Sequence, residues 1–171
     1  MCKIQNVSKF FYSVNFTDSI SATFCSFIKN LKSDENEFLN LALSLCKKIE
    51  PFKNDFDILV SVPKYKQTSS ETDYSEKLAC ILSSKLDIPY KKNILVKIKD
   101  TKKLKMLPDS ERFTEIASAF ELNSDKYKRI CIVDDVYSSG ATVREIVKTF
   151  NKNNIRDIYV AVLVLQAQSE L

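Results

Sequence analysis

Two adjacent carboxylates, Asp134 and Asp135, followed by a turn of small residues, form the stretch of this sequence best suited to chemistry. They directly follow the apolar run 130–133, which is typical of a strand buried on both faces of a parallel sheet. After the turn, apolar residues recur at helical spacing, at positions 143, 146, 147 and 150. A strand, a short turn and a helix N-terminus together predict an anion site, because backbone N–H groups converge there and the helix dipole favours negative charge.

The turn contains Gly140, the only glycine among the 171 residues. Every other turn forms without one, so this position is expected to need a positive φ angle or the close approach of a ligand. An ordinary strand–helix connection, with solvated aspartates beside it, would also tolerate a glycine here. The glycine alone therefore does not decide between a binding loop and a plain turn.

Residues 132–142 taken together are more specific for a function than the acidic pair or the glycine alone. Residues 132–142, Ile-Val-Asp-Asp-Val-Tyr-Ser-Ser-Gly-Ala-Thr, resemble the phosphoribosyl pyrophosphate (PRPP) motif of type I phosphoribosyltransferases, and most closely the form found in the ComF-like branch. Members of that branch are linked to DNA uptake and often have no assigned substrate. In the family the two acids hold the ribose hydroxyls and the turn wraps the 5-phosphate. The resemblance thus implies Asp134 and Asp135 as the catalytic pair, and as the 5-phosphate loop Ser138, Ser139, Gly140, Ala141 and Thr142.

A basic loop follows the apolar run 57–62. Ligands of open α/β sheets bind beyond the carboxyl ends of the strands, so this loop should meet the turn after Asp135. The family has a basic loop here that contacts pyrophosphate, and the resemblance implies Lys64 and Lys66 in that role. The chain departs from the family at residues 72–74, where Thr-Asp-Tyr replaces the usual Gly-Phe-Asn.

Residues 99–118 are polar and rich in lysine around Pro108, which predicts a long mobile loop. Long loops in compact domains are usually functional or disordered. The family has a flexible catalytic loop at this place. The resemblance implies Lys103 and Arg112 as its functional residues, with Lys103 standing where the family often has glutamine.

The remaining pattern predicts an α/β fold with a mainly parallel open sheet flanked by helices, similar to that of type I phosphoribosyltransferases. Residues 7–16 predict a short aromatic-rich strand or a hairpin arm. Further strands are predicted at 57–63, 94–98, 130–133 and 157–165, and they alternate with helical stripes at 20–31, 38–49 and 72–86. The length fits one domain over residues 1–171. Within it we expect residues 1–50 to form an N-terminal helical or hood part and residues 51–165 the core.

Composition excludes several kinds of site. The chain has no histidine, which rules out histidine-based acid/base catalysis and Ser-His-Asp triads. Its five cysteines include no Cys-x-x-Cys pair, which argues against a disulfide framework and against the N-terminal zinc ribbon of many ComF-like proteins. No apolar stretch reaches the length of a membrane span and no signal-peptide pattern is present, so a cytoplasmic location without membrane contact is expected.

Positive charge is concentrated in one segment. Between Lys91 and Lys105 there are seven lysines and a single acidic residue, Asp100, in a chain of formal net charge +4. Such a segment predicts an anionic partner, either a polyphosphate or a nucleic acid. A solvated lysine-rich face would have the same composition, so both interpretations stay open.

The resemblance implies transfer of a phosphoribosyl group from PRPP to a small base-like acceptor with release of pyrophosphate, in nucleotide salvage or in DNA uptake. The sequence does not identify the acceptor. Mg²⁺ is the implied cofactor, expected to bind mainly through substrate oxygens with Asp134 and Asp135 nearby. The alternative is a non-catalytic module that senses PRPP or a nucleotide while binding nucleic acid or a protein partner. A homodimer is expected by family, and a nucleotide kinase or NTPase has little support because no G-x-x-x-x-G-K-[ST] loop is present.

Overall fold

The fold is taken from a computed structural model that describes residues 4, 6–16, 21–65, 72–102, 107–124 and 126–166. Six strands and five helices follow one another along these residues, with a 3₁₀ turn at Glu50–Asp55 between α2 and β2. Their bounds in chain order are β1 Lys9–Phe16, α1 Ser21–Ser33, α2 Glu35–Ile49, β2 Ile58–Ser61, α3 Tyr74–Leu86, β3 Leu95–Lys97, α4 Asp109–Ile116, β4 Phe120–Leu122, β5 Arg129–Tyr137, α5 Ala141–Lys152 and β6 Asp157–Gln166.

Four of the strands form one parallel sheet in the order β1-β6-β5-β2. Helices follow β1, β2 and β5 and cover both faces of the sheet. The predicted α/β fold with a mainly parallel open sheet flanked by helices is therefore confirmed. Since β2 and β5 are parallel neighbours with Val60 beside Ile132 and Ser61 beside Val133, their carboxyl ends reach the same edge of the sheet.

Strand β5 is buried on both faces, as its apolar run predicts. Side chains of a strand alternate between faces, and Val133 packs in the core formed with α1, α2 and α3, whereas Ile132 packs in the core formed with α5 and the end of α4. Both side chains are fully buried. The two cores hold β5 from either side and fix the position at which its carboxyl end leaves the sheet.

Helices α2 and α3 begin at aspartates that act as N-caps. Asp34 accepts hydrogen bonds from the backbone N–H groups of Asn36 (2.9 Å) and Glu37 (3.0 Å). Asp73 accepts from the N–H groups of Ser75 (3.1 Å) and Glu76 (3.2 Å). Caps of this kind contribute about 1 kcal/mol each, and the second one fixes where α3 begins beside the end of β5.

Two features differ from the sequence prediction. The predicted strand 94–98 is shorter and pairs antiparallel with β4 in a separate two-stranded sheet. The segment 99–118, predicted as one long loop, contains helix α4, which starts directly after Pro108 and buries Ile116. Its mobility stays a prediction, and Lys103 lies outside the described residues. None of the helices in the described part of the chain has the length and apolar character needed to cross a membrane.

Candidate functional site

Asp134 lies near the carboxyl end of β5, where its carboxylate is held by two donors. The Ser75 hydroxyl donates to Asp134 Oδ1 at 2.8 Å, and the backbone N–H of Asp135 donates to the same oxygen at 2.9 Å. The loss of surrounding water raises the pKa of Asp134 well above its ordinary value, and the adjacent charge of Asp135 adds to this rise. The hydrogen bond from Ser75 opposes the rise. The site therefore holds one carboxyl that favours the protonated form.

Asp135 has a different partner. Its carboxylate forms an ion pair with the Lys32 ammonium, at the end of α1. The Asp135 side chain is 18% exposed and that of Lys32 34% exposed, so the pair borders solvent. Two adjacent carboxylates thus have distinct surroundings, one hydrogen-bonded and partly desolvated, the other paired with a cation.

Gly140 adopts the left-handed conformation that the sequence predicts, with φ 75° and ψ 3°. A Cβ atom at this position would overlap the Tyr137 hydroxyl and lie 2.7 Å from Tyr137 Cζ. The Tyr137 ring has little room to move, because it is 8% exposed and packs edge-on against Phe10 with ring centroids 5.0 Å apart. The turn therefore needs a glycine for two reasons, its backbone angle and the tyrosine ring above it.

The turn leads into the N-terminus of α5, which has no side-chain cap in the described structure. The contact nearest to a capping hydrogen bond is a long one, from the Ala141 N–H to Ser139 Oγ at 3.4 Å. No acidic residue lies in the first turn of α5. The N–H groups of this turn and the positive end of the helix dipole are consequently suited to an anion. The predicted phosphate-loop residues lie here, with Gly140 and Ala141 buried and Ser138, Ser139 and Thr142 partly exposed.

The loop after β2 lies on the neighbouring strand. Lys64 is exposed, and its ammonium donates to the carbonyl oxygen of Thr72 at 2.9 Å, which joins the two ends of that loop. A pocket of about 230 Å³ opens beside it, over Val60 and Leu95. Its charged lining consists of Lys64, Lys91, Lys92, Asp73 and Glu76. Lys66, the other predicted pyrophosphate ligand, lies outside the described residues.

The segment around α4 is tied to the phosphate-loop helix. Glu145 of α5 is 6% exposed, and its Oε1 accepts from the Ser118 N–H at 2.8 Å. Arg112, predicted in the catalytic loop, is partly buried and donates from Nε to the Leu107 carbonyl at 3.0 Å. In the described structure Arg112 thus supports the turn before α4.

Several lysines of the basic segment make contacts within the chain. Lys92 pairs with Glu76 at 2.8 Å, and Lys99 donates to the Glu115 carbonyl at 2.8 Å. Lys97 is half-buried and donates to Thr101, and burial lowers its pKa. Part of the positive charge of residues 91–105 is therefore used internally.

The sequence did not predict the roles of Lys32 and Ser75. Lys32 is one of 26 basic residues and nothing in its surroundings on the chain distinguishes it. Ser75 had a weak signal, because it follows a capping aspartate at the start of the helix after β2. Both contacts join residues that are far apart in sequence.

Mg²⁺ prefers oxygen ligands and usually keeps several waters. Among the residues that the structure describes, no group of three or more histidine, cysteine, aspartate or glutamate side chains is placed to hold a metal ion. Asp135 already carries an ammonium and Asp134 favours the protonated form. These two residues therefore do not by themselves form a metal cage.

The chain was compared with family models, curated proteins and solved structures, and no family model matches it. A purine phosphoribosyltransferase from Pyrococcus horikoshii has a TM-score of 0.47 and 19% identity, covering 75% of this chain and 81% of that one; this likeness is too weak to assign a fold or a function. Competence protein F of Haemophilus influenzae is 32% identical over an alignment of 110 residues, with 61% of this chain and 48% of the relative covered. The chain spans about half the length of this curated relative and is similar to it in sequence.

Proposed function

We propose that this chain is a phosphoribosyltransferase-like protein that binds PRPP with Mg²⁺ at the carboxyl end of β5. The observation that carries the proposal is the arrangement around β5. An acidic pair lies near the carboxyl end of the strand, Gly140 turns the chain in the left-handed conformation, and a helix N-terminus without a side-chain cap follows. A carboxylate pair suits sugar hydroxyls, and the turn suits a phosphate.

The phosphate loop has the role of anchor. Backbone N–H groups of residues 138–142 would bind the 5-phosphate, and the hydroxyls of Ser138, Ser139 and Thr142 add donors around it. Anchoring the phosphate fixes the ribose ring relative to Asp134 and Asp135, which precede the loop by a few residues in the sequence. Holding reacting groups in place in this manner accounts for a large part of many enzymes' rate enhancement.

The acidic pair has the role of orienting the ribose and stabilising positive charge. In the proposed reaction the bond from ribose C1 to the pyrophosphate oxygen breaks, and pyrophosphate leaves with the electron pair. A nitrogen of the acceptor forms the new bond to C1 and loses its proton. Positive charge develops at C1 between these events, and the Asp135 carboxylate is suited to stabilise it. Mg²⁺, when bound, would neutralise charge on the leaving pyrophosphate.

The pocket beside Lys64 is the proposed binding site for the pyrophosphate group. Three lysines border it, Lys64, Lys91 and Lys92, and it opens at the carboxyl end of β2, next to the acidic pair's strand. Asp73 and Glu76 also line the pocket. Glu76 is paired with Lys92, and the two remaining lysines, Lys64 and Lys91, outnumber the one remaining acid, Asp73, so the lining attracts an anion.

The similarity to competence protein F supports a link to DNA uptake as part of the proposal. The alternative is a non-catalytic module that senses PRPP or a nucleotide with the same loop and acidic pair while it binds nucleic acid or a protein partner. Internal contacts of Lys92, Lys97 and Lys99 leave fewer free cations for nucleic acid in the described part of the basic segment. We therefore place transfer first.

Turnover is tested by pyrophosphate release from PRPP in the presence of Mg²⁺ and a panel of purine and pyrimidine bases. We expect release that depends on one base, because displacement at C1 needs the acceptor. The matched control is Asp157→Asn, which removes an exposed acid at the amino end of β6, at the opposite edge of the sheet. That variant should keep wild-type release. Binding of PRPP without pyrophosphate release in the presence of any base of the panel would contradict transfer and favour the sensing module.

A further inference from the structure

Lys32 is held against the acidic pair from two directions. Its ammonium pairs with the Asp135 carboxylate and also lies 4.8 Å from the centre of the Tyr74 ring. The Tyr74 hydroxyl donates to the backbone carbonyl of Lys32 at 2.6 Å, which fixes the end of α1. A cation over an aromatic ring is stabilised by the negative face of the ring. The ammonium is therefore placed by the fold rather than by a chance surface contact.

Tyr74 and Ser75 connect these contacts to the rest of the site. Tyr74 packs against Phe38 of α2 with ring centroids 5.6 Å apart, and the next residue, Ser75, donates to Asp134. The start of α3 thus holds both acids, Asp134 directly and Asp135 through Lys32. Such a connection keeps the ammonium next to the pair when no ligand is bound.

Carboxylate oxygens are ligands that oxygen-preferring divalent ions bind, and the Asp135 carboxylate borders solvent. A charged carboxylate in this position is stabilised by a nearby cation. Here the chain supplies its own. A free divalent ion that approached Asp135 would meet the Lys32 ammonium at close range and be repelled, because like charges at a few ångströms interact strongly near a protein surface. The ammonium and a bare divalent ion compete for the same carboxylate.

We propose that Lys32 is the built-in counter-cation of the acidic pair and excludes free divalent metal from it. Lys32 is a positioning residue: it holds Asp135 for the neutral ribose hydroxyls, while divalent metal enters bound to the ligand's phosphate groups. The role of Lys32 in holding Asp135 for the ribose rests on the proposed function. The exclusion of free divalent metal by Lys32 does not, because it involves only this chain and a metal ion. It can be tested without any substrate.

The test is Mn²⁺ binding by the full chain, measured from the electron paramagnetic resonance signal of the free ion. Mn²⁺ shares the oxygen preference of Mg²⁺. The wild-type chain should show no saturable uptake at millimolar Mn²⁺. Lys32→Met should bind Mn²⁺ at least about tenfold more tightly, because the competing charge is gone. The double variant Lys32→Met with Asp135→Asn should lose the gained binding.

Two control variants and an unfolding measurement separate the effect of the charge at residue 32 from the effects of the chain's net charge and of a loss of folding. Lys32→Arg keeps a cation beside Asp135 and should bind no more Mn²⁺ than the wild-type chain. Lys29→Met removes an exposed lysine from the same helix and should also leave Mn²⁺ uptake unchanged. Lys32→Gln is a second neutral variant, and cooperative thermal unfolding identifies which neutral variants are folded. The proposal is overturned if folded neutral variants gain no Mn²⁺ binding, or if the wild-type chain already binds Mn²⁺ as tightly as they do.

Discussion

Gly140→Ala should weaken PRPP binding at least about tenfold, equivalent to about 1.4 kcal/mol, while the chain stays folded. The added Cβ would overlap the Tyr137 hydroxyl, and a side chain at φ 75° is strained by about 1–2 kcal/mol. The ring of Tyr137 cannot retreat easily, because Phe10 packs against it. The loop must therefore shift, and the N–H groups that should meet the phosphate move with it. Calorimetric titration with Mg-PRPP measures the change.

Asn154→Ala is the matched control for backbone strain. Asn154 also has a positive φ, 59°, but it follows the other end of α5. This variant should lose stability without losing PRPP affinity. In the Gly140→Ala background, Tyr137→Leu should recover part of the affinity by removing the overlap. Unchanged PRPP affinity in a folded Gly140→Ala chain would show that this loop does not bind the phosphate.

Asp135→Asn should lower kcat by about 10²-fold and affect PRPP affinity much less, if the chain is a transferase. The carboxylate charge matters most as positive charge develops at C1, whereas an amide still bonds to ribose hydroxyls in the ground state. Pyrophosphate release gives kcat, and calorimetry gives the affinity. A variant that loses affinity while kcat stays unchanged would indicate that Asp135 only binds the ribose.

Asp134→Asn should also lose activity, but it should make the free chain more stable at neutral pH. The pKa of Asp134 is raised in the folded state, so folding favours the protonated carboxyl. The folded state then binds more protons than the unfolded one, and stability falls as pH rises from the ordinary aspartate pKa through the raised value. The amide removes this penalty and still accepts the hydrogen bond from Ser75. Thermal unfolding of the variant and the wild-type chain at neutral and mildly acidic pH measures the difference in stability. A difference that is the same at both pH values, or a loss of stability at neutral pH, would contradict the raised pKa.

The strand, turn and helix around the acidic pair were predictable because each has a strong local signal. The apolar run of β5 predicted that this strand is buried, and the single glycine of the chain indicated a positive φ angle in the turn. Local patterns of this kind depend on neighbouring residues only. Such patterns are the features of a fold that can be predicted most directly from a sequence.

The partners of the acids were not predictable, since they depend on packing between distant segments. Ser75 and Asp134 are separated by 59 positions, and Lys32 reaches Asp135 only because α1 packs on the same side of the sheet as α3. Helix α4 was missed for a different reason. It has just two strongly apolar residues, Phe113 and Ile116, and Phe113 is 37% exposed, so no apolar stripe marks it. Strand β4, with three residues, is too short for any periodicity.

Calorimetric competition at the wild-type chain tests whether the end of β5 binds a phosphorylated ribose. We expect Mg-PRPP to bind at one saturable site per chain. Ribose 5-phosphate should compete with it, because it keeps both the phosphate and the hydroxyls, whereas unphosphorylated ribose should not. No saturable heat with Mg-PRPP, or competition by ribose as strong as that by ribose 5-phosphate, would contradict the assignment of this site.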